Sequence, residues 1–557
     1  MRVRRRFLQV GVRRVHYFRA GEGPPAVLVH SSPANARLLM AEIVRLSRDF
    51  TVFAFDTPGF GLSQALPMEE MLVADLADAL AETLEAIGMP RCPIFGSHTG
   101  AAIALELGVR HPERATGLVL DGVPAFTDAE CATLFGDYFR KLPATDLGGQ
   151  YASVWTRFRD QSIWFPWSER TADHLNPYDL GAPESTHLWV SMYFEAADSY
   201  APAYRAASFY GARAIAAAGE LTLPAIYTAT DTDMLRSHVN RLPPMKKGQA
   251  FHPIGTSYVR KRELIAEGFA RFGAAGEAPS DVDVLPDSPA VGRQFVAGTV
   301  GDLHLRHAGN RASPKVLLLH DAPGSAEQLE SLIAALATHF FVIAPDLPGH
   351  GESDPLSETP TVGDFVTELV RLLDGLELSE VAVLGVGFGS SVAVELARLY
   401  PQRITTLALR GLALPEPEER ATLRARFCPR IEITADGGHW YRTWLMLRDS
   451  QVYWPWFERK LTQLRRVDAD FGAAPLHRWT MDVMRARETY HHLVHAALEH
   501  DAAAALAEVR VSLLVVRDPA TPLSAYDDQL ISLCKGEAVV TGGGTAALVA
   551  ALVQTVF

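Results

Sequence analysis

The chain has 557 residues, 48% of them hydrophobic and 21% charged. One hydrophobic core stops growing near ~250–300 residues, so two domains are expected, with the composition of a globular, enzyme-like protein. The net charge of −13 lacks the basic face that phosphate backbones require and excludes nucleic acid as a partner.

Cys92, Cys131, Cys428 and Cys534 follow no metal-ligand spacing and read as free thiols of a reducing cytoplasm. The basic start, Met1 to Arg6, is not followed by the apolar stretch of a signal peptide. No uncharged apolar run reaches the ~18 residues of a membrane span.

In chain order, residues 7–20 alternate apolar and basic, which predicts an edge hairpin. The apolar runs at 26–29 and 52–55 predict buried parallel strands, with helices near 34–47 and 68–87 after them. A further strand runs into Ile94-Phe95-Gly96-Ser97-His98-Thr99-Gly100 and then a helix, with another strand at 116–121. This alternation predicts a doubly wound, mostly parallel sheet. Residues 127–218, rich in aromatics and helical in pattern, interrupt it as an inserted cap. Strands at 224–228 and near 250–252 and a helix at 258–272 complete the first domain. Residues 273–292, rich in Ala, Pro, Gly, Ser and Asp, form a linker.

Residues 293–557 then repeat the pattern, with a second cap at 415–507. Asp56-Thr57-Pro58-Gly59-Phe60-Gly61-Leu62-Ser63 recurs as Asp346-Leu347-Pro348-Gly349-His350-Gly351-Glu352-Ser353, and the cap stretch 159–170 recurs as 448–459. The offset of the cap stretch carries His98 onto Gly387 within Gly385-Val386-Gly387-Phe388-Gly389. Both stretches have the outline of G-x-S-x-G, a strand-to-helix turn that displays a nucleophile at its tip; neither displays serine, cysteine or aspartate.

With this turn, the Asp-x-Pro-Gly-x-Gly-x-Ser motif and an insertion after the sixth strand, both halves resemble the α/β-hydrolase superfamily. His30-Ser31-Ser32-Pro33 and His320-Asp321-Ala322-Pro323 look like the oxyanion loop of its epoxide hydrolase, haloalkane dehalogenase and C–C hydrolase-like branch. The resemblance implies an acid after the seventh strand, Asp233 with Asp231 as alternative, or Asp121 after the sixth. It implies a histidine after the eighth, His252. Ser31, Ser32 and Thr99 would then border the oxyanion and substrate pocket.

His98 and His252, facing one pocket, would divide acid and base work, with Asp233 orienting His252. That suits water activation against a small, partly apolar ester, lactone or related carbonyl compound. It equally suits proton transfer in a cofactor-free lyase or isomerase. The bland alternative is a vestigial His98 satisfied by Ser97 and Thr99. Ser97 and Ser32 are candidate displaced nucleophiles. His98, His252 and Asp233 have the ligand types of a metal triad, but no spacing motif supports one. No cofactor or metal is therefore expected, and the partner is a small molecule, with neither nucleic acid nor membrane.

The second half is read as a pseudo-hydrolase: its tip is Gly387, Arg410 replaces Asp121, residues 539–545 hold no histidine, and only Asp518 survives as an acid. Its expected role is structural, with the two halves able to pair as an intramolecular pseudo-dimer. A wholly non-catalytic binding or scaffold tandem is the reading from another class. His30 and His320 are expected to brace their loops. Trp164, Phe165 and Trp167, and their twins Tyr453, Trp454 and Trp456, are expected to pack the caps, while Tyr193 and Tyr200 could face the pocket.

Overall fold

The computed structural model describes residues 2–135, 138–280, 288–534, 538–541 and 544–556. The chain forms two compact units, one built mainly from residues up to 281 and the other mainly from residues after it.

In the first unit β1 (Val3–Val10) and β2 (Arg13–Ala20) form the expected antiparallel edge hairpin. The core strands and helices follow as β3 (Pro25–Val29), α1 (Met40–Leu46), β4 (Thr51–Phe55), α2 (Val73–Ala86), β5 (Cys92–Ser97), α3 (Thr99–Arg110) and β6 (Ala115–Asp121). Five helices come next: α4 (Asp128–Leu134), α5 (Gly149–Ile163), α6 (Pro183–Ala196), α7 (Tyr200–Ser208) and α8 (Gly211–Glu220). Then β7 (Ala225–Thr228), β8 (Gln249–Phe251) and α9 (Tyr258–Phe272) close the unit. The sheet order is β1-β2-β4-β3-β5-β6-β7-β8, parallel from β4 onward. Every residue of β3 and β4 is buried, as expected of strands covered on both faces. The helix α8 packs against α3, so the end of the insertion belongs to the layer that covers the sheet.

The second unit begins with β9 (Ser288–Ala297), which starts inside the stretch expected to be linker. Residues 281–287 of that stretch lie outside the described residues. It continues with β10 (Asp302–Gly309), β11 (Lys315–Leu319), α10 (Glu330–Leu336), β12 (Phe341–Pro345), α11 (Val362–Gly375), β13 (Val381–Val386), α12 (Gly389–Leu399) and β14 (Ile404–Arg410). The second insertion holds α13 (Pro417–Arg426), α14 (Gly438–Ser450), α15 (Ala473–Arg485), α16 (His492–Glu499) and α17 (Ala502–Ala507). The unit ends with β15 (Ser512–Val516), α18 (Asp527–Leu533), β16 (Ala538–Thr541) and α19 (Thr545–Val556). Its order, β9-β10-β12-β11-β13-β14-β15-β16, repeats the first sheet strand for strand.

The turn from β5 into α3 is set by close backbone approach. A Cβ on Gly96 would lie 2.1 Å from the Gly100 carbonyl oxygen, and one on Gly100 would lie 2.2 Å from the Val29 carbonyl oxygen. Only glycine fits at either place. His98 between them adopts φ 49° and ψ −108°, and among the described residues it shares positive φ outside glycine only with Glu377. Such conformations cost ~1–3 kcal/mol in a residue with a Cβ. The twin turn relieves that cost with Gly387 at φ +56°. His98→Gly is therefore expected to be about 1 kcal/mol more stable than His98→Ala, both lacking the ring but only one lacking the Cβ. Denaturant unfolding of the two variants checks this; equal midpoints would contradict it.

Candidate active site

Each unit brings three loops together at the carboxyl edge of its sheet, and a buried aspartate fixes them. In the first unit Asp56, just past β4, accepts from Ala36 N at 2.9 Å, Leu62 N at 3.0 Å and His16 Nδ1 at 2.8 Å. His30 Nδ1 donates to the Ser31 carbonyl at 2.9 Å, which leaves Nε2 to accept from Thr57 N at 3.0 Å. Burial lowers the His30 pKa, in keeping with this neutral tautomer. Asp346 and His320 repeat both arrangements in the second unit, with His304, Ala326 N, Glu352 N and Leu347 N as partners. His30 and His320 thus brace the loops.

His98 leaves the elbow sideways, over Gly122 at the end of β6. A Cβ on Gly122 would lie 2.6 Å from His98 Cδ2, so the glycine is what gives the ring room. Nε2 donates to Asp233 Oδ2 at 2.8 Å. Asp233 also accepts from Leu235 N at 2.8 Å, which fixes its carboxylate on the loop after β7. Burial opposes charge on both partners. The imidazolium and its hydrogen bond nevertheless hold Asp233 down at about 2, and the Asp233 charge raises His98 above its ordinary value. The His98 side chain is 34% exposed, and Nδ1 makes no protein hydrogen bond among the described residues.

His252 is not part of this pair. It follows β8 directly, and its N–H still donates to the Tyr227 carbonyl at 2.9 Å as a continuation of the ladder. Its ring lies in electrostatic range of Glu267 on α9 and bonds neither Asp233 nor His98. The expected His252–Asp233 contact is thus replaced by His98–Asp233, and the three candidate metal ligands do not assemble. Asp231 is also displaced, 58% exposed and paired with Arg236. Asp121 sits beneath the elbow, accepting from Ser97 Oγ and from Lys261 Nζ of α9, each at 3.1 Å. Burial works against the Lys261 ammonium, but the charges of Asp121 and Glu42 together with the Asp121 hydrogen bond raise the Lys261 pKa. Asp121 is therefore a support under His98, and Ser97 is bound to that support.

A small cavity of about 40 Å³ opens over His98, lined by Ser32, Thr99, Phe126, Phe165, Tyr204 and Leu235 among others. Ser32 N–H reaches Thr99 Oγ1 only at 3.4 Å, and Ser32 Oγ is buried without a partner. Ser31 does not line the cavity; its carbonyl serves His30 and Ala34 N. Tyr193 and Tyr200 are fully buried behind it. The aromatic cluster divides. Trp167 is buried and donates to the Tyr138 carbonyl, whereas Phe165 faces the cavity. Likewise Trp456 donates to the Phe427 carbonyl, and Trp454 faces a cavity of its own unit.

In the second unit Asp518 is not a catalytic acid either: its carboxylate holds Arg410, the counterpart of Asp121, with Nε at 2.7 Å. The true counterpart of Asp233 is Thr521, whose N–H donates to the Asp518 carbonyl as that of Asp233 does to Thr230. Sequence reasoning missed Asp321. Its Oδ1 accepts from Ala322 N and Phe388 N, each at 2.8 Å, in the space above Gly387. The signal was an acid in the loop facing a glycine tip.

Among the described residues no group of three or more His, Cys, Asp and Glu side chains could hold a metal ion, and no helix is long and apolar enough to cross a membrane.

A family model described as alpha/beta hydrolase fold matches residues 24–154 and 314–427, one segment in each unit. An uncharacterized hydrolase of Saccharomyces cerevisiae is 39% identical over 101 residues, 18% of this chain and 35% of that protein. The (E)-2-((N-methylformamido)methylene)succinate hydrolase of Acinetobacter baylyi is 31% identical over 118 residues, 21% of this chain and 44% of that protein. The chain thus spans 35% and 44% of the length of these curated relatives. Among solved structures, epoxide hydrolase A from Mycobacterium thermoresistibile is 20% identical with a TM-score of 0.38, covering 48% of this chain and 98% of that one. The enol-lactonase from Burkholderia xenovorans is 17% identical with a TM-score of 0.36, covering 48% and 98%. With one matched segment and one complete sheet of the same order in each unit, the chain carries the α/β-hydrolase fold twice.

Proposed function

We propose that the first unit hydrolyses a small, partly apolar carbonyl compound, an ester or a lactone, with His98 as general base. The observation that carries this reading is the 2.8 Å bond from His98 Nε2 to Asp233. It fixes the tautomer in which Nδ1 is the free lone pair, and it favours the imidazolium that forms when Nδ1 takes a proton. Water gives that proton to Nδ1 and attacks the carbonyl carbon. The tetrahedral oxygen is met by N–H groups bordering the cavity, those of Thr99 and Ser32, each worth ~3 kcal/mol when well aimed. Collapse returns the proton to the leaving alkoxide, giving acid and alcohol. The same pair suits proton transfer in a lyase or isomerase; incorporation of labelled solvent oxygen into the product distinguishes hydrolysis.

The cavity of about 40 Å³ favours a second reading, in which the histidine is a structural tie and the tandem is non-catalytic. Catalysis requires the cap side chains Phe165 and Tyr204 to move aside for the substrate.

A panel of short-chain aryl esters and lactones separates the two. His98→Ala and Asp233→Asn are each expected to lower kcat/KM at least about a hundredfold, while His252→Ala stays within a few-fold of wild type. Turnover that survives His98→Ala, or none on any member of the panel, would overturn the hydrolytic reading.

The pH dependence has a definite sign. A base must be unprotonated, and His98 is raised above its ordinary 6.5, so kcat/KM should climb through an inflection above pH 6.5. In Asp233→Asn the residual rate should inflect lower. For stability the signs differ. The His98 contribution is complete below pH 6.5 and is lost as pH rises through its folded value. The Asp233 contribution is present above its unfolded value of 3.8 and is lost as pH falls toward about 2. The stabilisation that Asp233→Asn removes should therefore be largest between about pH 4 and 6.5. A stability difference that grows above pH 8 would contradict the assignment.

A further inference from the structure

Against about 40 Å³ for the cavity over His98, the one beside the Gly387 turn is about 820 Å³. At its floor stands a carboxylate that the turn itself does not supply. Asp321 comes from the facing loop, and a Cβ on Gly387 would lie 1.9 Å from its Cγ. It therefore occupies the space that a tip side chain would fill. Its Oδ1 takes both backbone N–H groups that converge there, from Ala322 and Phe388. An acyl oxyanion has no donors left at this site, which removes carbonyl chemistry but not binding.

Oδ2 remains. Among the described residues no Lys, Arg or His side chain forms an ion pair with Asp321; Arg410, whose charge it feels, is held by Asp518. Burial pushes the Asp321 carboxyl up to about 6, still mostly ionised at neutral pH. A second observation also calls for a ligand. Thr521, at the position of Asp233, is 7% exposed, lines the cavity and has a buried hydroxyl with no partner. The cavity is lined by Phe388, Phe427, Trp454, Trp479 and Leu523, with the charged Arg410, Arg465, Arg478, Glu327, Asp470 and Asp482 also on it. An unpaired anion and a lone hydroxyl acceptor among aromatic faces match a donor-rich cation with an apolar body, through an ion pair, a hydrogen bond and cation–π contact.

We propose that the second unit is a binding site for a small organic ammonium compound with an aromatic or aliphatic body, anchored by Asp321 Oδ2 and Thr521 Oγ1. The site is independent of His98, and its test does not depend on hydrolysis. Isothermal titration of the full chain with benzylamine, benzyl alcohol and benzoate should show binding of benzylamine at one site per chain, tighter than either of the others. Asp321→Asn, which keeps the acceptor for Ala322 and Phe388 but loses the charge, should weaken benzylamine about tenfold or more. Thr521→Val, nearly isosteric, should weaken it several-fold, and His98→Ala should leave it unchanged. Circular dichroism establishes that each variant is folded, and Thr521→Val carries the test should Asp321→Asn not fold. Tighter binding of benzoate, benzylamine binding indifferent to both Asp321→Asn and Thr521→Val, sensitivity to His98→Ala, or no binding of any probe would overturn the proposal.

Discussion

Everything distinctive about this chain depends on one backbone contact, the approach of a strand-to-helix turn to the neighbouring strand. Gly96 and Gly100 admit no Cβ, and the tip between them is forced to positive φ. The second unit keeps a comparably close approach at Gly385 and Gly389, where a Cβ would lie 2.6 Å from Ser390 Cα and 2.3 Å from the His320 carbonyl oxygen. Because the turn is a packing requirement of the sheet and its covering helix, it persists whatever side chain its tip carries. The tip is therefore free to change chemistry without loss of the fold.

The two units use that freedom in opposite ways. In the first, a bulky imidazole remains despite its backbone cost and reaches across Gly122 to Asp233, so the tip itself forms the histidine–aspartate pair. In the second, glycine relieves the strain, and the vacated volume is taken by Asp321 from across the site. The supporting ion pair beneath the tip is reversed in the same step: Asp121 with Lys261 in one unit, Arg410 with Asp518 in the other. Charge balance under each turn is preserved while the acidic partner changes element. The buried Asp56 and Asp346 networks that hold the loops share their histidine and backbone partners, with Arg306 added beside Asp346 in the second unit.

Much of the fold was legible because its determinants are local: apolar runs that only doubly covered strands need, helical periods between them, and a repeat that shows each element twice. The start of β9 at Ser288 was not, since an edge strand of mixed polarity resembles a linker until its partner β10 is seen. At the site, the resemblance pointed to Asp233 as an acid after the seventh strand, but with His252 as its partner where the structure has His98. His252 misled because sequence gives proximity to β8 but not whether the residue is still within the ladder, which its bond to Tyr227 shows it is. Asp321 escaped because its placement depends on an absence elsewhere, the missing side chain of Gly387. Such complementary pairs are non-local, and a reading that takes each loop by itself does not join them. The aromatic cluster divided for a similar reason: Trp167 and Trp456 find carbonyl partners inside the insertions, whereas Phe165 and Trp454 line the cavities.

The central claim is that His98 is held by Asp233 with Nδ1 free, and nitrogen NMR of ¹⁵N-histidine-labelled protein tests it most directly. The account predicts a His98 ring protonated at Nε2 and bare at Nδ1 in alkaline solution, titrating above pH 6.5, with the titration moving down in Asp233→Asn. A His98 ring carrying its proton on Nδ1, or a titration at or below 6.5 that Asp233→Asn does not move, would contradict it.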